Sequence, residues 1–183
     1  MNSALAKRVQ EAAKHYNYSG PLEPGMVHLL QEEGFTASNY DDDVGVDTQG
    51  VGQTAENKGK NFFTETYPKY VARAQKKVKG YETLSPNLKD AVLSAVYRGD
   101  LGPKASKLLS AGRFEEAADE YLDNKEYKKR KKKNPEDGVV LRMERNAATM
   151  REEAGNGESR PQPDPMARES NQRPSTIQGN SSG

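Results

Sequence analysis

Cysteine and tryptophan are absent from this chain, histidine occurs only twice, and no apolar run approaches the roughly 20 residues that a membrane-spanning helix needs. Without cysteine there is no disulfide, no thiolate zinc site and no thiol nucleophile, so stability must come from packing. His15 and His28 have no metal-ligand neighbour, and each reads as a partly exposed helix residue. No metal and no cofactor is expected. The first twenty residues lack the apolar run of about 7–15 residues that marks a secretory signal. The expectation is therefore a protein soluble in the cytoplasm in which it is made.

Hydrophobic residues are also scarce, at 33% of 183 residues, and they are unevenly spread. From Ala154 to Gly183 the chain holds four prolines, four glycines and almost nothing to bury, which is the composition of a disordered polar tail. The remainder has an ordinary globular composition, of a length that suits one domain. The formal net charge is +1, so the protein is not generally basic. One run, Lys128 to Lys133 (K-K-R-K-K-K), nevertheless concentrates positive potential. It reads as a solvated linker between helices, as an attractor of anionic envelope polymers, or as a nucleic-acid patch. Tyr127 is the one aromatic residue beside it, which argues against base stacking and specific nucleic-acid recognition.

What is present is helical periodicity. Leu5, Val9, Ala12, Ala13 and Tyr16 predict an amphipathic helix before the Gly20-Pro21 break. Met26, Leu29, Leu30 and Glu33 share one face of a second helix, which Gly34 ends. Phe63, Tyr67, Tyr70, Val71, Ala74 and Val78 form another stripe, in which Pro68 fits only in the first turn or at a kink. Ser85 and Pro86 make a cap and first-turn pair for a helix with Leu88, Ala91, Val92, Ala95 and Val96, the most apolar run and the expected buried centre. Pro103 and Gly112 bracket a further helix, and Phe114 to Tyr121 and Val139 to Met150 supply two more. Mostly helix with one small hairpin places the fold in the α+β class.

The candidate site lies between Glu33 and Gly52, where the chain reads E-G-F-T-A-S-N-Y-D-D-D-V-G-V-D-T-Q-G-V-G. A carboxylate at Glu33 is followed nine positions later by Asp42, six positions after that by the hydroxyl of Thr48, and then by Gly50 and Gly52. This order and spacing resembles the phage-type lysozymes, the muramidases of the phage endolysin class. Their Glu, Asp and Thr are separated by the same eight and five residues, and their neighbouring Gly, Tyr and Thr-x-Gly-x-Gly turn match Gly34, Tyr40 and Thr48, Gly50 and Gly52. Leu93 to Gly102 looks like the family's central buried helix and its exit. Leu108 to Tyr121 looks like its leucine-rich helix and the aromatic-acid-Ala-Ala helix that follows, and Gly138 to Met150 occupies the place of its closing Arg-containing helix. The match covers about residues 26 to 152. It divides the chain into an N-terminal extension (1–25), a catalytic domain (26–153) and the tail (154–183), and implies a two-lobed fold with a β-hairpin small lobe and a helical large lobe.

Glycoside hydrolysis explains these residue types, because a proton donor and a second carboxylate must flank the scissile bond. A Glu at the C-terminal end of a helix faces the negative end of the dipole near an apolar wall, and both effects favour its protonated form. By resemblance, Glu33 is the general acid, Asp42 with Thr48 activates water in an inverting mechanism, and Gly50, Gly52 and Tyr97 contact substrate. For Tyr97 a plain core role is the alternative. The implied substrate is the β-1,4 bond between N-acetylmuramic acid and N-acetylglucosamine in bacterial peptidoglycan, reached by a phage-encoded enzyme at entry or lysis.

Other readings stand beside this one. Paired acids arise readily in a chain that is 30% charged, and Asp41 to Asp43 alone could be a solvated acidic turn. Where the family usually has His, Arg and Asn, this chain has Gln53, Met143 and Arg98, and the stretch from Thr54 to Leu88 is short. The second functional reading is a lysozyme-fold structural component of a phage particle, with the N-terminal helix and the tail as contacts for virion proteins. Gly50-Val51-Gly52 lacks the context of a dinucleotide loop, Gly59-Lys60 lacks that of a phosphate loop, and Asp41 to Asp47 lacks the ligand pattern of a calcium loop.

Overall fold

The most apolar run of the sequence becomes a helix buried on every side. In a computed structural model that describes residues 2–41, 47–53 and 57–157, this helix, α4 (Pro86–Tyr97), has every residue from Ala91 to Tyr97 buried. Ser85 caps it, its hydroxyl accepting from the Leu88 amide at 3.3 Å, and Pro86 occupies the first turn, where a missing N–H costs nothing. Because both faces are apolar, α4 serves two cores. Val92 and Val96 face one, and Leu93 and Tyr97 face the other.

The larger core is wholly helical. α3 (Tyr67–Lys77), α5 (Pro103–Ser110), α6 (Phe114–Leu122), α7 (Lys125–Lys133) and α8 (Gly138–Gly157) pack around α4 through Ala74, Leu109, Tyr121, Tyr127 and Met143, among others. Pro68 lies in the first turn of α3, directly after a π turn at Phe62–Thr66, so the chain needs no kink. The lysine run, for which a solvated linker was one expectation, is helix α7. Asn124 caps it by accepting from the amides of Glu126 and Tyr127, and Tyr127 pins it to α8 by donating to Glu144 at 2.9 Å. Helix α8 runs through Gly157, four residues past the boundary drawn at 153; residues 158–183 lie outside the described set.

The smaller core gathers α1 (Ser3–His15), α2 (Pro24–Glu33), the π turn and the hairpin. Leu5, Val9 and Ala12 of α1 are buried against Met26, Leu29 and Leu30 of α2, so the apolar face of the N-terminal extension is used inside the molecule. Arg8 donates to the carbonyls of Leu30 and Gln31, the last turn of α2, where no intrahelical amide remains to pair them. The sheet has two antiparallel strands, β1 (Thr36–Asp41) and β2 (Asp47–Gly50), with Tyr40 opposite Thr48 and Thr36 opposite Gly50. The protein is thus mostly helical with one small antiparallel sheet, and among the described residues no helix is long and apolar enough to cross a membrane.

Candidate active site

Glu33 is the last residue of α2, and Gly34 takes the chain out of the helix at φ +74°. The turn that follows β2 comes back against it. A Cβ built on Gly52, itself at φ +61°, would lie 3.1 Å from Glu33 Oε2. The carboxyl group is only 6% exposed and is paired with Arg98 Nη1 at 3.0 Å. Burial pushes its pKa above the ordinary carboxylate value, against the opposing pull of Arg98 and Arg142 and with smaller help from Glu32 and Asp100. Glu33 is therefore a buried acid whose protonated form is favoured more than in water, and it borders an open hollow.

Gly50 and Gly52 are required for shape. At Gly50, φ is +64°, and an added Cβ would collide with the Tyr16 hydroxyl and Gln53 Oε1. Those two groups are hydrogen-bonded to each other at 2.7 Å. Gln53 carries a fully used amide, whose Nε2 shares its two N–H groups among the carbonyls of Asn57 and Lys60 and Thr66 Oγ1, all within 2.7–3.1 Å. Its backbone also pairs in both directions with Gln49. The position where the resemblance expects His thus carries a residue that ties the turn to α1 and to the π turn. Sequence reading saw Gln53 only as a departure, and Tyr16 only as part of an apolar stripe; partners 37 residues apart leave no local signal.

Tyr97 is 9% exposed, and its hydroxyl donates to the Val51 carbonyl at 2.5 Å. Its ring lies 4.6 Å from that of Tyr70. Here it holds the turn in place from below. Arg98, another apparent departure, is the residue that reaches Glu33. Behind it, Asp100 accepts from Arg142 Nη2 at 2.7 Å and from the Tyr121 hydroxyl at 2.8 Å, a pair with both side chains largely buried. Burial raises the Asp100 pKa while Arg142 and Tyr121 oppose the shift. Arg142 Nη1 is buried and has no hydrogen-bond partner among the described residues. Leaving such a donor unpaired costs about 1–3 kcal/mol, and the charged guanidinium places it at the upper end.

Asp42 lies outside the described residues, and of Thr48 only the backbone pairing with Tyr40 is described. The structure brings together Glu33, Gly50, Gly52 and Tyr97, with Arg98, Arg142 and Gln53 added. Among the described residues no group of three or more potential ligands could hold a metal ion. His15 packs edge-on against Tyr16 and Phe35. No family model matches the chain, and the comparison with curated proteins gives no match.

Proposed function

We propose that this chain is a muramidase of the phage-lysozyme type that cleaves the β-1,4 bond between N-acetylmuramic acid and N-acetylglucosamine in bacterial peptidoglycan. The observation that carries this reading is the environment of Glu33: a buried carboxyl at a helix end, raised in pKa, touching a glycine turn and bordering a hollow of about 430 Å³. Burial shifts such a group toward its protonated form, the form that can give a proton to the leaving glycosidic oxygen. Asp42, with the Thr48 hydroxyl, would hold and polarise the attacking water on the opposite face of the sugar, and the chemistry requires no cofactor. Gly50 shapes the turn around Tyr16 and Gln53, Gly52 brings the backbone beside Glu33 where the sugar chain would pass, and Tyr97 fixes that turn through Val51. The two-lobed fold belongs to the same proposal, with the smaller core as hairpin lobe and the larger as helical lobe.

One observation favours the second reading, a lysozyme-fold structural component of a phage particle: the Arg98 guanidinium on Glu33 favours the ionised carboxylate, the wrong state for a proton donor. Zymography on cell-wall gels separates the two. A clear band from wild type that disappears in Glu33→Gln supports the enzyme; a folded wild type that leaves no band supports the scaffold.

A further inference from the structure

Four arginines line the hollow beside Glu33: Arg98 at the end of α4, Arg130 on α7, and Arg142 and Arg145 on α8. A guanidinium carries five N–H donors in a planar fork that matches a carboxylate or phosphate. Carboxylates from Glu32, Glu33 and Asp137 share the lining, and each arginine pairs with an acid: Arg98 gives Nη1 to Glu33, Arg145 gives Nη2 to Glu32, Arg142 gives Nη2 to Asp100, and Arg130 gives Nε to Glu126 and Nη1 to Asp137. Each guanidinium keeps further N–H donors beyond these. Arg142 is 6% exposed, and its Nη1 is buried with no acceptor among the described residues. Because Arg142 also lines the hollow, a small movement of its guanidinium is enough to offer this unpaired donor to an anion's oxygen.

Arg98 differs from the others in its freedom. Its side chain is 41% exposed, and among the described residues it forms a salt bridge with Glu33 alone. It follows the last residue of α4 and precedes Gly99 at φ +75°, at the exit of the helix. It lines both this hollow and the adjoining one of about 200 Å³ that Arg142 and Arg130 also border.

We propose that the hollow binds a carboxylate or phosphate anion, and that Arg98 is shared between this anion and Glu33. With the hollow empty, Arg98 pairs with Glu33 and favours its ionised form. When an anion enters, Arg98 turns to it and Glu33 takes up a proton. By linkage, a proton on Glu33 strengthens anion binding by the same factor that the anion strengthens protonation. The groups facing Glu33 are Glu32 from α2, Tyr97, Arg98 and Asp100 from α4 and its exit, Arg142 from α8, and Gly52, without a side chain, from the turn. Of the two guanidinium groups among them, Arg142 is held by Asp100 and Arg98 is the one able to leave. The role of this switch in catalysis rests on the muramidase reading; the binding does not. The anion's source is either a free carboxylate of the wall peptide attached to the substrate or free phosphate.

The test is a pH titration of the Glu33 side-chain carboxyl by carbon-13 NMR on the full chain, at constant ionic strength set with chloride. It is repeated with added sodium phosphate and with added acetyl-dialanine. Saturable binding should raise the Glu33 midpoint, and affinity should increase as pH falls through that midpoint. In Arg98→Asn the midpoint should start higher and no longer respond to either anion. Arg145→Gln should weaken binding at least fivefold while the midpoint without anion stays within a few tenths of wild type. Tighter binding of acetyl-dialanine assigns the site to the wall peptide, and tighter binding of phosphate assigns it to phosphate. A wild-type midpoint that ignores both anions, or one that moves as much in Arg98→Asn, overturns the proposal. Because no hydrolysis is read, a protein that shows the linked titration but digests no peptidoglycan would refute the muramidase reading alone. A hydrolase whose Glu33 ignores anions would refute only the switch.

Discussion

Ionising Glu33 costs the folded protein stability, because the charge is nearly removed from water and Arg98 compensates only in part. Its folded pKa lies above the ordinary value of 4.5. The stability it contributes is therefore complete below the unfolded pKa and is lost as pH rises through the folded one. Glutamine cannot ionise. Glu33→Gln should melt higher than wild type at pH 7 and equal to it below about pH 4, as read by thermal denaturation across pH. The same variant should lose roughly 10²–10⁴-fold in hydrolysis, the usual worth of a general acid. A second residue-scale prediction concerns Gln53. Gln53→Leu keeps the volume but strands the Tyr16 hydroxyl, Thr66 and the carbonyls of Asn57 and Lys60, each costing about 1–3 kcal/mol if it stays buried. A fall of at least 5 °C in Tm is expected by calorimetry; an unchanged Tm would show that these groups find water. Glu33 was legible as a residue type at a spacing, but its partner Arg98 was not, since 65 positions separate them in the chain.

At the scale of elements, turns and caps decide where side chains can go. Gly52 brings backbone against Glu33 at a positive φ that an L-residue adopts at a cost of roughly 1–2 kcal/mol. Gly52→Ala adds a methyl group 3.1 Å from Glu33 Oε2, so the carboxyl must shift. Activity should fall at least tenfold while circular dichroism stays native and denaturant midpoints drop only modestly; full activity would mean that Glu33 has room to move. The helices were largely legible. Ser85-Pro86, Pro103, Gly34 and Gly112 stand at the expected ends of α4, α5 and α2 because capping and ring closure act locally. Helix α7 was the exception. Six consecutive cations repel one another, and the repulsion is offset by the Asn124 cap, by buried Tyr127 and by the pairing of Lys131 with Glu144 and of Arg130 with Glu126 and Asp137. Two of those three carboxylates lie on or beside α8.

Over the whole molecule, the same pairing leaves a one-sided surface. With Tyr127 turned inward, Lys125, Lys129, Lys132 and Lys133 fall on the opposite, exposed side of α7. With a net charge of +1, the long-range attraction to an anionic wall that the proposed function calls for would come from this patch rather than from the protein at large. Replacing Lys129, Lys132 and Lys133 by Gln should slow clearing of intact walls severalfold at low salt. The difference should shrink above about 0.1 M salt, where screening acts within about 10 Å. Cleavage of a short neutral oligosaccharide should not change. An equal loss on both substrates would instead place the lysines at the chemistry.

The sequence by itself determined the helical class, the hairpin, the acid at the end of the second helix and the two turn glycines. Each of these follows from spacing, capping or backbone freedom within a few residues. Only the tertiary structure decided what surrounds that acid. Arg98 and Asp100 from α4 and its exit and Arg142 from α8 meet beside Glu33, and Tyr16 of the N-terminal extension locks the turn through Gln53. Such contacts are set by how α4 divides its apolar faces between two cores, and that division depends on every helix packed against it.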